Sequence, residues 1–391
     1  MEPRILFVTP ISPFAPKTGG EQRSQLMFQS LCALGQVDVI QLCPGSITSI
    51  SEVNKHGARW VFASVANAEL TWRRFKPKTH LTKPVEKLLG QRLSDYDLVV
   101  GRYIWPVCQL EIPANVPVIA DLDDLLFRAN PRALAAPSVL KMWLKKKLGS
   151  TWTNRQIRRF DGAFFVSGLD QKLEKNTASR VVPNIPIACV GQITPPPFNK
   201  QVLFVGSLWY PPNEQGINWF LNAVWPQVLA NHADATLLLA GSANSRVRSN
   251  WERIRGVKAP GFVDDLEEAY QNAAVVIVPI WCGGGSNIKL VEALAHLRPC
   301  VTTRTAYSPF SGQLKNNQHL LVAENAGDFA GHINDLMINP ALGQNLALAG
   351  RNAVEENFAI KNFEVGVAQL VGEVLARRQS NRPKNPGDIY N

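Results

Sequence analysis

Several signatures of common enzyme classes are missing from this sequence of 391 residues. Its six cysteines contain no C-x-x-C pair, and its six histidines form no H-x-H or H-E-x-x-H motif. The usual zinc and dithiol sites are therefore not predicted. The Walker pattern and the G-x-G-x-x-G pattern are also absent, which argues against P-loop nucleotide hydrolysis and nicotinamide or flavin chemistry. We expect no bound metal and no cofactor.

Long apolar runs are missing too. No stretch reaches the roughly 18 apolar residues that a membrane-spanning helix needs, and the first apolar run, at 5–8, is too short for a secretory signal. We therefore expect a cytoplasmic protein with free thiols. Positive charge, in contrast, is abundant: the net charge is +10, which favours phosphorylated or otherwise anionic partners.

The chain alternates short apolar runs with helical patterns. Runs rich in Val, Ile and Phe without strict alternation are typical of parallel strands buried on both faces, and strands that alternate with helices predict doubly wound α/β domains. These runs lie at 5–8, 37–42, 98–100, 116–120 and 163–166, and again at 202–205, 235–240, 274–279, 300–303 and 320–323.

A proline-rich segment separates the two sets of strands. Three consecutive prolines at 195–197 cannot enter a helix or a central strand, so they indicate a stiff linker. We predict that the domains and connecting segments divide as follows: an N-terminal domain over 1–190, a linker at 191–200, a C-terminal domain over 201–360, a last helix over 361–378 and a disordered polar tail at 379–391.

The strongest local signal for chemistry follows the strand predicted at 274–279. Three glycines at 283–285 let the backbone approach a ligand, and a helix begins at once. Ser286 is a good N-cap, so the first N–H groups of the helix favour an anion. Lys289 adds a positive charge, and Glu292 could accept hydrogen bonds from two ribose hydroxyls. This pattern predicts a nucleoside diphosphate site. A glycine-rich turn with a surface Lys289–Glu292 ion pair is the alternative.

Further segments, at 182–184, 202–207, 237–241 and 261–266, follow in a matching order. Together with the glycine-rich segment they resemble the GT-B family 4 glycosyltransferases, to which the sequence is similar over about residues 4–375. The resemblance implies two Rossmann-like domains with a cleft between them and a last helix that crosses back onto the N-terminal domain. The donor-binding residues that it implies are Gly206, Ser207, Gly241, Phe262, Val263, Gly283, Gly284, Gly285, Ser286, Asn287, Ile288, Lys289 and Glu292.

Two features depart from the family pattern. The family carries two glutamates eight positions apart; Glu292 fits the second, and Gly284 stands at the first, as in glycine-rich bacterial members. The Arg and Lys that commonly neutralise the diphosphate after the first donor strand are replaced by Ser207 and the residues at 214–215. The charge of the leaving group then falls to Lys289, to backbone N–H groups or to another basic residue.

The N-terminal half offers its own candidates. Gly19 and Gly20, after the first strand, resemble the family's glycine loop that faces the sugar, and Arg23 beside them is a candidate for the diphosphate charge. Asp121 follows a predicted strand, and α/β folds place ligands at that end of a strand. We predict Asp121 as a cleft residue with a catalytic or acceptor role; capping of a helix by the aspartates at 123–124 is equally compatible with the pattern.

A basic stretch at 140–159 is the main signal for a macromolecular partner. It combines seven Lys and Arg residues with a Leu and Trp stripe at helical spacing, which is typical of a helix at an anionic membrane surface. A second basic cluster lies at 72–87. Packing of the stripe on the protein's own core is the alternative. No nucleic-acid motif is present, so no such partner is predicted.

The resemblance implies retaining, metal-independent transfer of a hexose-type sugar from a nucleotide diphosphate to a glycan or lipid-linked acceptor, in the synthesis of a cell-surface polysaccharide or glycoconjugate. Two alternatives remain open at this point. One is a GT-B-like epimerase acting on sugar nucleotides, and the other is a non-catalytic subunit that binds them.

Overall fold

The structure is a computed structural model, and it describes residues 2–14, 19–44, 50–55, 58–65, 81–123, 157–172, 177–186, 193–263, 265–282 and 287–381. The chain forms two compact units. Of the described residues, those up to 123, those of 157–183 and those of 360–381 belong to the N-terminal unit, and those of 184–359 belong to the C-terminal unit.

The N-terminal unit contains a sheet with the strand order β3-β4-β2-β1-β5-β6-β7-β8. All neighbouring strands run parallel except β3, which pairs antiparallel with β4 at one edge. The strands are β1 (Arg4–Thr9), β2 (Gln36–Pro44), β3 (Ile50–Lys55), β4 (Ala58–Val65), β5 (Leu98–Arg102), β6 (Val118–Leu122), β7 (Gly162–Phe165) and β8 (Ala178–Val181).

The centre of this sheet is buried on both faces. Residues 5–8 of β1 have no exposed surface, and all five residues of β5 are buried. This explains why these segments read as continuous apolar runs. Four helices among the described residues accompany the strands: α1 (Gly19–Cys32), α2 (Thr82–Leu89), α3 (Ile104–Val107) and α4 (Gly168–Gln171).

The C-terminal unit contains a fully parallel sheet with the order β11-β10-β9-β12-β13-β14. Its central strand, β9, pairs with β10 on one side and with β12 on the other. The chain thus changes direction at β9, and in doubly wound sheets ligands bind at such a point, outside the carboxyl ends of the strands. The strands are β9 (Gln201–Val205), β10 (Thr236–Ala240), β11 (Val257–Gly261), β12 (Val275–Val278), β13 (Cys300–Thr303) and β14 (Leu321–Ala323).

The helices of this unit follow the strands in alternation. A π-helical turn over Phe220–Val224 joins the first two, and the helix after it begins at Trp225–Pro226, where the proline lacks the N–H group of a regular turn. The helices are α5 (Pro211–Trp219), α6 (Trp225–Asn231), α7 (Ser245–Glu252), α8 (Leu266–Gln271), α9 (Ile288–Ala295), α10 (Arg304–Tyr307), α11 (Ala326–Ile338) and α12 (Pro340–Asn357).

The last helix, α13 (Ile360–Asn381), belongs to the N-terminal unit, where it packs on α1, β7 and β8. Its apolar face is buried through Phe363, Val367 and Leu370. A side chain at Gly162 of β7 would lie 3.1 Å from Val374, so this glycine lets the helix approach the sheet closely. The helix extends three residues beyond 378, into the segment predicted as a disordered tail.

Each run predicted as a strand coincides with a strand of the structure, apart from shifts of one or two residues at the ends. Strands β3, β4, β8 and β11 were not predicted. Three of them lie at sheet edges, where half of the side chains face away from the core; the buried and exposed residues of β11 alternate, and it contains Pro260.

Candidate functional site

Three strands of the C-terminal sheet end in turns that lie directly against one another. The Gly241 N–H donates to the Gly261 carbonyl at 2.8 Å, and the Gly206 N–H donates to the Ala240 carbonyl at 3.0 Å. A side chain at Gly241, whose φ is +148°, would come within 1.8 Å of the Gly206 carbonyl oxygen. Only glycine fits at position 241. The predicted residues Gly206 and Gly241 therefore form one tightly packed edge of the sheet, which we call the glycine edge.

Lys289, in the first turn of α9, reaches this edge. Its Nζ donates to the Asn213 Oδ1 at 2.9 Å and lies 5.3 Å from the centroid of the Phe204 ring. A Cβ atom at Gly206, whose φ is +152°, would lie 3.0 Å from the Lys289 Cε. The missing side chain at Gly206 therefore provides the space through which the lysine passes.

Asn213 is a site residue that the sequence did not reveal. It lies in the first turn of α5, is only 5% exposed, and donates through Nδ2 to the Ser207 carbonyl at 2.8 Å. In the sequence it follows Pro211 and Pro212, where an asparagine looks like an ordinary turn or helix-start residue. No local pattern links it to a lysine that lies 76 positions later.

Burial lowers the pKa of Lys289 to about 8, and the nearby Glu292 carboxylate opposes this effect. The lysine is half-buried and bound to Asn213, so the alternative of a simple surface ion pair with Glu292 does not describe it. An ammonium group that is partly removed from water interacts more strongly with an incoming anion than an exposed one does. The site is therefore suited to bind a phosphate group.

The residues directly after β12 are held by two contacts. The Thr303 hydroxyl donates to the Ile280 carbonyl, and Trp281 packs edge-on against Trp219 with ring centroids 4.7 Å apart. Asn287, not Ser286 as predicted, occupies the N-cap position of the helix, and its side chain makes no capping hydrogen bond. The predicted residues Gly283, Gly284, Gly285 and Ser286 lie outside the described residues. Asn287, Ile288 and Glu292 are half-buried at the start of α9 and one turn later.

Exposed aromatic side chains follow the same strand ends. Phe262, one residue beyond β11, is 60% exposed, and Trp209 is 64% exposed. The Trp209 N–H donates to the Ser242 carbonyl at 3.1 Å, which ties the turn after β9 to the turn after β10. Val263 is half-buried. The predicted residues Gly206, Ser207, Gly241, Phe262, Val263 and Lys289 therefore lie along one edge of the C-terminal sheet.

In the N-terminal unit, Arg23 and Asp121 meet in an enclosed ion pair. Both side chains are essentially unexposed, the Arg23 Nε lies 3.0 Å from each Asp121 carboxylate oxygen, and the Arg23 Nη1 donates to the Val182 carbonyl at 2.8 Å. Gly19 and Gly20 form the first turn of α1 rather than a loop. In this conformation Asp121 presents no surface to a substrate, and its predicted role in substrate contact stays a prediction.

A second ion pair in this unit involves a residue that the sequence analysis missed. Arg102, the last residue of β5, is fully buried; it pairs with Asp123 and contacts the Tyr103 hydroxyl. Asp123 thus takes part in an ion pair rather than capping a described helix, and Asp124 lies outside the described residues. Tyr103 has a φ of +62°, which is uncommon for a residue other than glycine. Such backbone strain is frequent at functional sites.

Comparison with known proteins finds a family similarity in the C-terminal unit. Residues 199–339 match the model of the family described as "Glycosyl transferases group 1". These residues are therefore similar to a glycosyltransferase domain. A protein of Klebsiella pneumoniae described as an uncharacterised 44.6 kDa protein in the cps region is 27% identical over 172 residues. That alignment covers 42% of this chain and 44% of the Klebsiella protein, so the chain matches less than half the length of this relative.

Solved structures show that the chain has the GT-B fold. Sucrose-phosphate synthase from Thermosynechococcus elongatus superimposes with a TM-score of 0.70 at 16% identity, over 96% of this chain and all of that one. HepE of Anabaena, in complex with UDP and glucose, gives 0.64 at 14% identity, over 95% of this chain and all of that one. The E. coli trehalose-6-phosphate protein bound with UDP-2-fluoro glucose gives 0.62 at 12%, over 95% and 99%.

Two features are absent from the part of the chain that the structure describes. No helix there is both long and apolar enough to cross a membrane. Within the same residues, no group of three or more His, Cys, Asp or Glu side chains is arranged to hold a metal ion. Most of the basic stretch at 140–159 and the segment 66–80 lie outside the described residues.

Proposed function

We propose that this protein transfers a hexose-type sugar from a UDP-sugar to a glycan or lipid-linked acceptor, with retention at the anomeric carbon and without a metal ion. The observation that carries the proposal is the half-buried Lys289 ammonium at the glycine edge of the C-terminal sheet, beside the N-terminus of α9. A cation and free N–H groups at one place are what a diphosphate requires.

The reaction places its largest charge change on the diphosphate. The bond between the anomeric carbon and the diphosphate oxygen breaks, the electron pair stays on that oxygen, and the acceptor oxygen bonds to the same carbon from the same face. The acceptor proton passes to the departing diphosphate. In this proposal Lys289 stabilises the developing charge, Glu292 accepts hydrogen bonds from the ribose, and the 261–263 backbone lies beside the base.

Two similarities support the choice of donor and setting. HepE and the E. coli trehalose-6-phosphate protein share the fold, and their structures contain UDP or a UDP-sugar analogue. The Klebsiella relative comes from a cps region, which favours the synthesis of a cell-surface polysaccharide. We further propose a cytoplasmic location, with the basic stretch at 140–159 in contact with the anionic membrane that would hold a lipid-linked acceptor.

A thermal-shift screen tests the donor site. UDP, GDP, ADP, dTDP and their sugars are added to the wild type and to Glu292→Ala, with and without EDTA. We expect stabilisation by the uridine nucleotides alone, unchanged by EDTA and reduced in the variant. UDP release that requires an acceptor would establish transfer. Conversion of one UDP-sugar into another without an acceptor would instead indicate an epimerase, and binding without turnover a non-catalytic subunit.

A further inference from the structure

Asn213 connects the two segments of the glycosyltransferase domain that meet at the glycine edge. Its Oδ1 accepts the hydrogen bond from Lys289, and its Nδ2 donates to the Ser207 carbonyl. The Asn213 backbone is fixed in turn, because its N–H donates to the Tyr210 carbonyl at 2.9 Å. One side chain therefore ties the turn after β9 to the first turn of α9.

The two ends of the Asn213 amide cannot be exchanged. A backbone carbonyl only accepts hydrogen bonds, so the end that faces Ser207 must be the NH2 group. The oxygen is thereby directed at Lys289, whose ammonium has three donors and no acceptor. Two of these three donors remain for other partners. With Phe204 on one side and Gly206 beside its Cε, the ammonium has little freedom to move away.

An uncharged partner differs from a carboxylate in a way that matters for anion binding. An aspartate at this position would orient the lysine but would cancel its charge and repel a phosphate. The amide orients the ammonium and leaves the charge intact. The carboxylate of Glu292, one turn further along α9, raises the pKa of Lys289 against the lowering effect of burial.

We propose that Asn213 is a positioning residue that aims the Lys289 ammonium at the diphosphate of the sugar nucleotide without neutralising it. This inference rests on the proposed function, in which Lys289 contacts that diphosphate. Asn213 also compensates for the Arg and Lys that the family commonly carries after the first donor strand and that this chain lacks. Here the residue after Gly206 is Ser207, and its backbone carbonyl accepts the hydrogen bond from Asn213.

The test compares Asn213→Ala with Asn213→Asp and measures UDP affinity by calorimetry between pH 7 and 10. The terminal phosphate of UDP is ionised across this range, because its pKa is about 6. We expect the wild-type affinity to fall with a midpoint near 8. In Asn213→Ala the midpoint moves to lower pH, since a hydrogen bond to the charged lysine is lost.

In Asn213→Asp the midpoint moves to higher pH, because a carboxylate stabilises the ammonium, while the maximal affinity falls through repulsion of the phosphates. A rise of one unit in the pKa of Lys289 would raise its protonated fraction at pH 9 about fivefold. Asn218→Asp is the matched control: it makes the same charge change on the exposed side of α5, where Asn218 bonds Trp251. It should leave the midpoint unchanged.

The outcomes separate the two proposals. If the wild type does not bind UDP, the proposed function fails. The positioning role is overturned in the following case. The UDP affinity of the wild type falls with a midpoint near pH 8 and Lys289→Met abolishes this fall, yet both Asn213 variants move the midpoint in the same direction or leave it unchanged. Should Asn213→Ala not fold, Asn213→Ser takes its place, and an unchanged midpoint in that variant overturns the role equally.

Discussion

The enclosed pair of Arg23 and Asp121 allows a quantitative prediction for Asp121→Ala. The carboxylate has no exposed surface and receives hydrogen bonds from the guanidinium, which is itself 1% exposed. Removing the carboxylate leaves an uncompensated charge in the interior of the N-terminal unit. Breaking a buried pair in this way costs about 3–5 kcal/mol of stability. We expect Asp121→Ala to lower the free energy of unfolding of the N-terminal unit by that amount.

The assay is urea unfolding followed by far-ultraviolet circular dichroism, with UDP present to displace the transition of the C-terminal unit to higher urea. The double variant Arg23→Met/Asp121→Leu replaces the pair with apolar side chains of similar size. It should regain most of the lost stability, because neither charge is then left buried alone. Glu324→Ala serves as control: Glu324 pairs with Arg304 at the surface, and no measurable change is expected.

Two results would refute this reasoning. The first is an Asp121→Ala variant that unfolds at the wild-type urea concentration. The second is a double variant at least as unstable as the sum of the two single changes. A stable double variant also tests the predicted catalytic role of Asp121. If it still transfers sugar, the carboxylate serves to hold α1 against β6. If it binds UDP but transfers nothing, a contact with the substrate is indicated.

Three further predictions concern other parts of the chain. UDP affinity should fall about tenfold between pH 7 and pH 9, because the charged form of Lys289 binds the phosphates and is lost as the pH rises through its pKa of about 8; calorimetry on Lys289→Met should show no such fall. Gly241→Ala should destabilise the C-terminal unit by about 2 kcal/mol or more in thermal unfolding, because its Cβ would meet the Gly206 carbonyl at 1.8 Å, whereas Gly312→Ala, with no atom within 4 Å, should not. Sedimentation with vesicles should show binding to anionic but not to neutral lipid, abolished when the lysines at 145–147 are changed to glutamate; equal binding to both lipids would contradict the electrostatic reasoning.

The buried strands could be predicted because burial on both faces requires apolar residues within the strand itself. A parallel strand covered on both faces is apolar along its buried length, as all of β12 is and as β9 is after its first residue, so a short run of Val, Leu, Ile or Phe suffices to predict it. Edge strands such as β8 and β11 are only partly covered. Their composition is then mixed, and their place in the sheet depends on a neighbour that is distant in sequence.

The candidate site likewise has residues that the sequence predicts and residues that it does not. The lysine and glutamate of α9 and the glycines after β9 and β10 stand in local patterns, and the structure places Lys289 beside Gly206. The partner of that lysine could not be predicted, since nothing near Asn213 in the sequence refers to Lys289. The ion pair of Asp121 with Arg23 could not be predicted either. Its position at the end of a strand favoured contact with a ligand, whereas its pairing with Arg23 depends on how α1 packs on the sheet.

The sequence by itself determined the two α/β sheets, the order of their central strands along the chain and the charged residues near the strand ends, because periodicity, glycine and charge act over a few residues. Only the tertiary structure decided which charged side chains are enclosed in an ion pair and which are held by a neutral hydrogen-bond partner. Burial and hydrogen bonding depend on side chains brought together from positions as far apart as 213 and 289, or 23 and 121. These contacts form only when the chain packs.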